Sequence, residues 1–269
     1  MLQDQAADPR QYRGGIRVFY EGEYRVDSRD VDQWYTCRPS ALLGIFQEAA
    51  VAAACELHAS REEMLNKYHL FWMLARLWYR LDRPLKWGER LTVRTWHRGG
   101  KGASTYRDFD LLVNGTPVGE AVSVWVVADA ETHRLGRISG IEEFQGTDGG
   151  ALCKQKTISH LRMPQNMELA DRRAMRYSDT DVNGHVNNVR YADFICDALH
   201  MERLGAGRFV SALQIGYLAE CQAGETLELY TAEQDGLWYV HGADGAGKSR
   251  FEGTVALSQL PLDAAAAIE

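Results

Sequence analysis

Asp179-Thr180-Asp181-Val182-Asn183-Gly184-His185-Val186-Asn187-Asn188 sets two carboxylates, three side-chain amides and an imidazole directly ahead of an apolar helical pattern. An ordinary turn needs one or two Asx residues. This density instead points to a loop that gathers polar side chains and helix-start N–H groups at one point. Such a cluster can hold a carbonyl oxygen and an attacking water together. A related stretch stands earlier in the chain, Asp30-Val31-Asp32-Gln33-Trp34-Tyr35-Thr36-Cys37-Arg38-Pro39-Ser40, where Asp30 and Asp32 fall on Asp179 and Asp181. Gly88-Glu89-Arg90-Leu91-Thr92-Val93 then recurs as Gly224-Glu225-Thr226-Leu227-Glu228-Leu229. Two matches in the same order read as a duplicated unit.

Each copy opens on a short strand-like run (19–26 and 173–177) and leads into an apolar helix. The first helix starts at Pro39, a residue suited to a first turn, and continues through Leu42, Ile45, Phe46, Ala49, Ala53 and Leu57. Apolar nearly all round, it is expected to be buried on most sides. The second runs from about Val189 through Tyr191, Phe194, Ile195, Ala198 and Leu199. Strands are expected at 70–81, 89–96, 105–113 and 117–129, the last two joined by an Asn114-Gly115 hairpin, and again at 209–218, 226–231, 236–242 and 249–260. A helix wrapped by an antiparallel sheet, made twice, is an α+β double hotdog: two tandem antiparallel sheets, each around a long helix. The expected halves are 1–138 and 167–269, with a weakly periodic connector at 139–166.

With 269 residues and 45% hydrophobic content the chain can bury a large core. A net charge of −7 disfavours a nucleic-acid partner. Nothing approaches about 18 uninterrupted apolar residues, so no membrane span is expected, and Met1–Arg10 is polar, without the apolar region of a signal peptide. Five widely spaced cysteines form neither a disulfide framework nor a metal pattern. No phosphate loop, zinc spacing or dinucleotide fingerprint occurs, so no cofactor or metal is expected. These features suggest a cytoplasmic protein, monomer or homodimer.

Asn183-Gly184-His185-Val186-Asn187-Asn188-Val189-Arg190-Tyr191 resembles the active-site signature of plant and bacterial fatty acyl-ACP thioesterases, where ACP is acyl carrier protein. Tyr217-Leu218-Ala219-Glu220-Cys221 resembles that family's downstream signature. Thr95-Trp96, Tyr106-Arg107-Asp108-Phe109 and Ser123-Val124-Trp125-Val126 match its habits in the first half. The likeness spans about residues 17 to 260, and with no transit peptide ahead of it the chain looks like the bacterial branch. The resemblance implies hydrolysis of fatty acyl-ACP to free fatty acid and carrier, ending fatty acid synthesis. Alternatives are an acyl-CoA thioesterase on the same fold, a hydratase of 2-enoyl thioesters, or a non-catalytic acyl-binding module.

Thioester hydrolysis needs an oxyanion stabiliser and a way to activate water. His185 and Asn183 are candidates to hold the thioester oxygen and position water, and Asp181 to orient Asn183 or the loop backbone. Asn187 and Asn188 are expected to cap the second helix. Glu220 falls where the first copy has Pro84, so it is a carboxylate belonging only to the half with Asn183 and His185. It is expected as general base or as nucleophile. The resemblance also brings a Cys-His-Asn alternative through Cys221. Adjacent strand residues face opposite ways, so Glu220 is preferred. The first half, with Tyr35 and Thr36 where Gly184 and His185 stand, is expected to be catalytically silent. Its helix at Ile45 and its Phe71-Trp72-Met73-Leu74 strand are candidates to line an acyl tunnel. Arg94, His97, Arg98, Lys101, Arg107, Arg172, Arg173 and Arg176 are a candidate cationic rim for an acidic carrier.

Overall fold

The computed structural model describes residues 12–13 and 16–260; the polar stretch 1–10 and the tail 261–269 lie outside them. A short pair, β1 (Tyr12–Arg13) and β2 (Ile16–Arg17), stands apart from the main sheet. The first half then runs β3 (Tyr20–Arg25), α1 (Pro39–Glu56), α2 (Arg61–Tyr68), β4 (Leu70–Leu81), β5 (Arg90–Lys101), β6 (Ser104–Val113) and β7 (Thr116–Asp129). The second runs β8 (Glu168–Ala174), α3 (Arg190–Ala198), α4 (Met201–Leu204), β9 (Arg208–Tyr217), β10 (Thr226–Gln234), β11 (Leu237–Asp244) and β12 (Ser249–Gln259).

Strands β3 to β12 form one antiparallel sheet in the order β3-β5-β6-β7-β4-β9-β12-β11-β10-β8. Each half supplies five neighbours, and the two half-sheets join where β4 pairs with β9, centred on Trp78↔Gln214. Matched to its repeat, each strand lies equally far from this seam, so a pseudo-two-fold axis passes through it. The double hotdog is therefore closed into a single sheet of ten strands.

The helices fill the inner face. α1 buries Leu42, Leu43, Ile45, Phe46, Ala49, Ala50 and Ala53, and its eighteen residues contrast with nine in α3. His200, held at φ 52°, breaks the second helical run before α4. One core draws on both halves: Phe46, Tyr79 and Phe109 from the first, Phe194, Ile215 and Phe251 from the second. The Ser60–Glu63 capping box starts α2: Ser60 Oγ accepts from the Glu63 N–H, and Glu63 accepts from the Ser60 N–H.

The duplication reaches individual hydrogen bonds. Asp32 and Asp181 each accept from the N–H two residues on, Trp34 at 2.9 Å and Asn183 at 2.8 Å. Cys37 N–H donates to Leu85 O as Val186 N–H donates to Cys221 O. Glu89 accepts from Lys86 N–H as Glu225 accepts from Gln222 N–H. A common turn skeleton thus underlies two loops whose side chains differ.

The connecting segment folds back over the first half in short 3-10 turns at Ile138–Gly140, Glu142–Phe144 and Gly150–Leu152. Its Lys156 lies over the Trp78 ring at 3.9 Å, and its Ser159 carbonyl accepts from Gln214 at 2.9 Å. It therefore crosses the seam on the face opposite the helices, since Leu77 and Tyr79 point inward.

The cationic rim expected from sequence does not form as such. Arg94, Arg98, Arg172 and Arg173 pair with Glu21, Asp108, Glu228 and Asp197, while His97 and Arg107 are buried. Strand register sets Glu21 opposite Arg94 and Glu228 opposite Arg172, and α3 brings Asp197 to Arg173, while Lys101 and Arg176 stay exposed. His97 is packed against Phe144, with Nδ1 accepting from Gly99 N–H and Nε2 donating to Thr147 Oγ1. Burial, with Arg107 adding to it, pushes its pKa from 6.5 down to about 4. As pH falls through 6.5 the unfolded chain therefore binds a proton that the folded chain refuses. The associated stability is intact above about pH 6.5 and lost progressively toward pH 4, by about 3 kcal/mol in all. Urea unfolding from pH 7 to pH 4 should show a shallower decline for His97→Gln than for the unsubstituted chain.

Candidate active site

Asp179 anchors the candidate loop. Its buried carboxylate accepts from Arg176 N–H at 2.8 Å and lies 3.6 Å from Arg173 and 3.4 Å from Arg190. Its carbonyl accepts from Asn187 N–H, so one residue holds both ends of the loop. Within it, Asp181 Oδ1 accepts from Asn183 N–H, Asp181 N–H donates to His185 O, and Gly184 N–H donates to Asp181 O. Gly184 sits at φ 76°, which its lack of a Cβ allows. Its counterpart Tyr35 is forced to φ 60°. Asp181 thus caps the turn as Asp32 does in the first half.

A bridge between His185 and Gln222 lays the loop beside the segment after β9. His185 Nδ1 and Glu220 Oε2 stand 3.4 Å apart, with 29% and 49% of their side chains exposed. A half-exposed pair of this kind adds little to stability, roughly 1 kcal/mol or less. Its significance is chemical: a carboxylate and an imidazole side by side at an accessible position. Arg250 holds this arrangement from beneath, donating to the Glu220 carbonyl and pairing with Glu225 and Asp244 at 3.1 Å each.

Cys221 points the other way. Its side chain is fully buried against Tyr191, and burial raises its pKa. A thiol in such a place resists forming the thiolate that nucleophilic attack requires. Asn187 Oδ1 accepts from Val189 N–H at 3.0 Å, a cap at the entrance to α3. The N–H groups of Asn183, Gly184, Val186, Asn187, Val189 and Arg190 are all taken by internal acceptors. The N–H groups of Asn183 and Gly184 are thereby turned into the loop, on Asp181.

A narrow apolar cleft, with room for little more than one water at about 10 Å³, runs between the halves. Asn188, Val189 and Tyr217 form its second-half side; Leu43, Phe46, Leu74, Phe109 and Trp125 form much of the other. Ile45, Trp72 and Met73 do not line it. On α1 the stripe facing the cleft is Leu43, Phe46 and Gln47, an i, i+3, i+4 set that Ile45 falls outside. Met73 faces away from its neighbour Leu74, and Trp72 lies on Phe144 with its indole N–H donating to Ala59 O.

One residue at the site was not anticipated: Arg61, on the first turn of α2, donates from Nε to Asn183 Oδ1 at 3.2 Å. The Ser60-x-x-Glu63 capping signature predicts a helix start here. Its meeting with a loop 122 positions away has no local sequence signal.

A continuous two-fold sheet, with a loop carrying Asn183 and His185 set against Glu220 of the segment after β9, defines a hotdog protein of the thioester-hydrolase type. The chain belongs to the acyl-ACP thioesterase family: residues 17–144 match the family's N-terminal domain and 164–253 its C-terminal domain. It is 24% identical over 255 residues to oleoyl-acyl carrier protein thioesterase 1 of Arabidopsis thaliana, covering 87% of this chain and 68% of the relative. It is 29% identical to the palmitoyl-acyl carrier protein thioesterase of Gossypium hirsutum, covering 74% of this chain and 47% of that one. The chain thus spans about half to two thirds of the length of these plant relatives. A crystal structure of an acyl-ACP thioesterase from Bacteroides thetaiotaomicron shares its architecture, with a TM-score of 0.78 over 90% of this chain and 98% of that one at 22% identity.

Glu220→Gln and His185→Ala should each lower kcat by about 10²-fold or more with the fold intact. The double variant should lose little beyond the worse single one, because groups handling one proton act as a unit. Cys221→Ala should keep most of the activity. Steady-state kinetics with circular dichroism as the folding control checks all four proteins.

Proposed function

We propose that this protein hydrolyses fatty acyl-ACP thioesters, releasing a free fatty acid and the carrier. The observation that carries this reading is the His185–Glu220 pair, 3.4 Å apart, with His185 on a loop whose next residues Asn188 and Val189 line an apolar cleft. The acyl chain lies in the cleft and its thioester carbonyl at the loop. Asn183 and His185 meet the carbonyl oxygen as negative charge develops on it. Water attacks the carbonyl carbon, and its proton passes to the Glu220–His185 pair. The tetrahedral intermediate collapses with cleavage of the C–S bond, and that proton goes to the departing sulfur. The first half contributes walls rather than an imidazole–carboxylate pair, because Thr36 stands in place of His185 and spends its hydroxyl on Asp32.

A carrier-borne substrate has to be met at the surface. The loop fits this requirement: Asn183 and Gly184 are exposed, and Tyr177, Val182 and Leu218 present apolar side chains around it. Matched assays decide between carriers, with acyl-ACP expected to be turned over at higher kcat/KM than the same acyl group on CoA. Equal or better use of acyl-CoA would assign the protein to CoA thioesters instead.

The cleft lining makes a sharper forecast for chain length. Each buried methylene is worth about 0.8 kcal/mol, roughly fourfold in binding. Leu74→Phe should therefore shift the product profile toward shorter acids, whereas Met73→Phe, on the opposite face, should leave it unchanged. Product distributions across an acyl-ACP panel from about eight to eighteen carbons measure both.

A further inference from the structure

We infer that Arg61, from the catalytically silent half, is a positioning residue that makes the Asn183 amide a hydrogen-bond donor to the thioester oxygen. This rests on the hydrolytic reading above and assigns a role within it. Arginine carries five N–H donors and no acceptor, so the Asn183 atom 3.2 Å from Arg61 Nε is the amide oxygen. With the oxygen engaged there, the amide NH₂ is the end presented to substrate. Asn183 then acts by donating to the carbonyl rather than by accepting from water.

Three features of the fold support that assignment. The N–H groups of Asn183 and Gly184 are both spent on Asp181, so the side-chain amide is the donor that Asn183 still has to offer. Arg61 is set on a fixed platform, the first turn of a capped helix whose far end is tied to the connecting segment by Lys67 and Tyr68 with Glu143. It also brings a positive charge to the amide, and a charged donor polarises the group it bonds. The contact is solvent-exposed, so it contributes little to folding; its effect is on orientation. The active site is thereby assembled across the two halves, with the silent one supplying the residue that sets the polarity of Asn183.

The test measures kcat and KM on acyl-ACP for Arg61→Ala, Arg61→Lys, Asn183→Ala and the Arg61→Ala/Asn183→Ala pair. Loss of one charge-assisted hydrogen bond at the transition state is expected to lower kcat about tenfold for Arg61→Ala, with KM within about twofold. Arg61→Lys, which keeps a cationic donor, should recover part of that loss. In the Asn183→Ala background, removing Arg61 should change nothing further. An unchanged kcat for Arg61→Ala, or a full additional loss in the Asn183→Ala background, overturns the inference. A salt-sensitive rise in KM alone would make Arg61 a carrier-attracting cation and also overturn it. The outcomes separate the inference from the reading beneath it. A crippled Asn183→Ala beside a normal Arg61→Ala refutes only the role of Arg61. An unimpaired Asn183→Ala refutes the site reading itself.

Discussion

The antiparallel pairing of β4 with β9 is the constraint on which the rest of the molecule depends. Centred on Trp78↔Gln214, it turns two five-stranded halves into one sheet and sets a pseudo-two-fold relation between them. That relation decides what faces what. α1 of the first half comes beside the entrance to α3, and the cleft opens between Phe46 and Leu74 on one side and Val189 and Tyr217 on the other. It also places α2 where Arg61 reaches a loop of the opposite half. The seam is locked from the outer face by the connecting segment, through Lys156 over Trp78 and the Ser159 carbonyl on Gln214.

Within that symmetric frame the chemistry is one-sided. Both loops are built on the same aspartate-capped turn, and most of their backbone hydrogen bonds correspond. In the first, Thr36 closes back onto Asp32 at 2.8 Å, and Tyr35 stacks on Trp87 with ring centroids 5.9 Å apart. In the second, Gly184 removes side-chain bulk at the turn and His185 projects toward Glu220. The equivalent of Glu220 in the first half is Pro84, which has no side chain to offer such a partner. The scaffold occurs twice, and the two copies differ at Trp34/Asn183, Tyr35/Gly184, Thr36/His185 and Pro84/Glu220.

Charge is distributed with the same economy. The chain is acidic overall, and its arginines are spent mainly on pairing across strands and around the loops. Asp179 with Arg173 and Arg190, and Arg250 with Glu225 and Asp244, are structural clusters that flank the reactive pair and hold its two segments in register. His185 and Glu220 stay at an accessible position, with 29% and 49% of their side chains exposed.

Much of this was legible in the sequence because it depends on local chemistry. The Asx-rich loop, the repeated Asp-x-Asp turn, the Pro39 helix start and the alternating strands are all written in neighbouring residues, and they specified the double hotdog and the polar set of the second half. The preference for Glu220 over Cys221 rests on strand alternation, whereas both lie in the segment after β9 and the burial of Cys221 is decided by the fold. What only the tertiary structure decided are relations across distance. The joining of the half-sheets, the pairing of the arginines and the burial of His97 follow from which strands become neighbours. The cleft wall fell on Leu74 and Phe46 rather than Met73 and Ile45 because facing depends on which stripe of α1 meets the sheet and on the parity of β4 there. Arg61 was invisible as a site residue for the same reason: 122 positions separate it from Asn183, and only the closed sheet brings a donor in one half to an acceptor in the other.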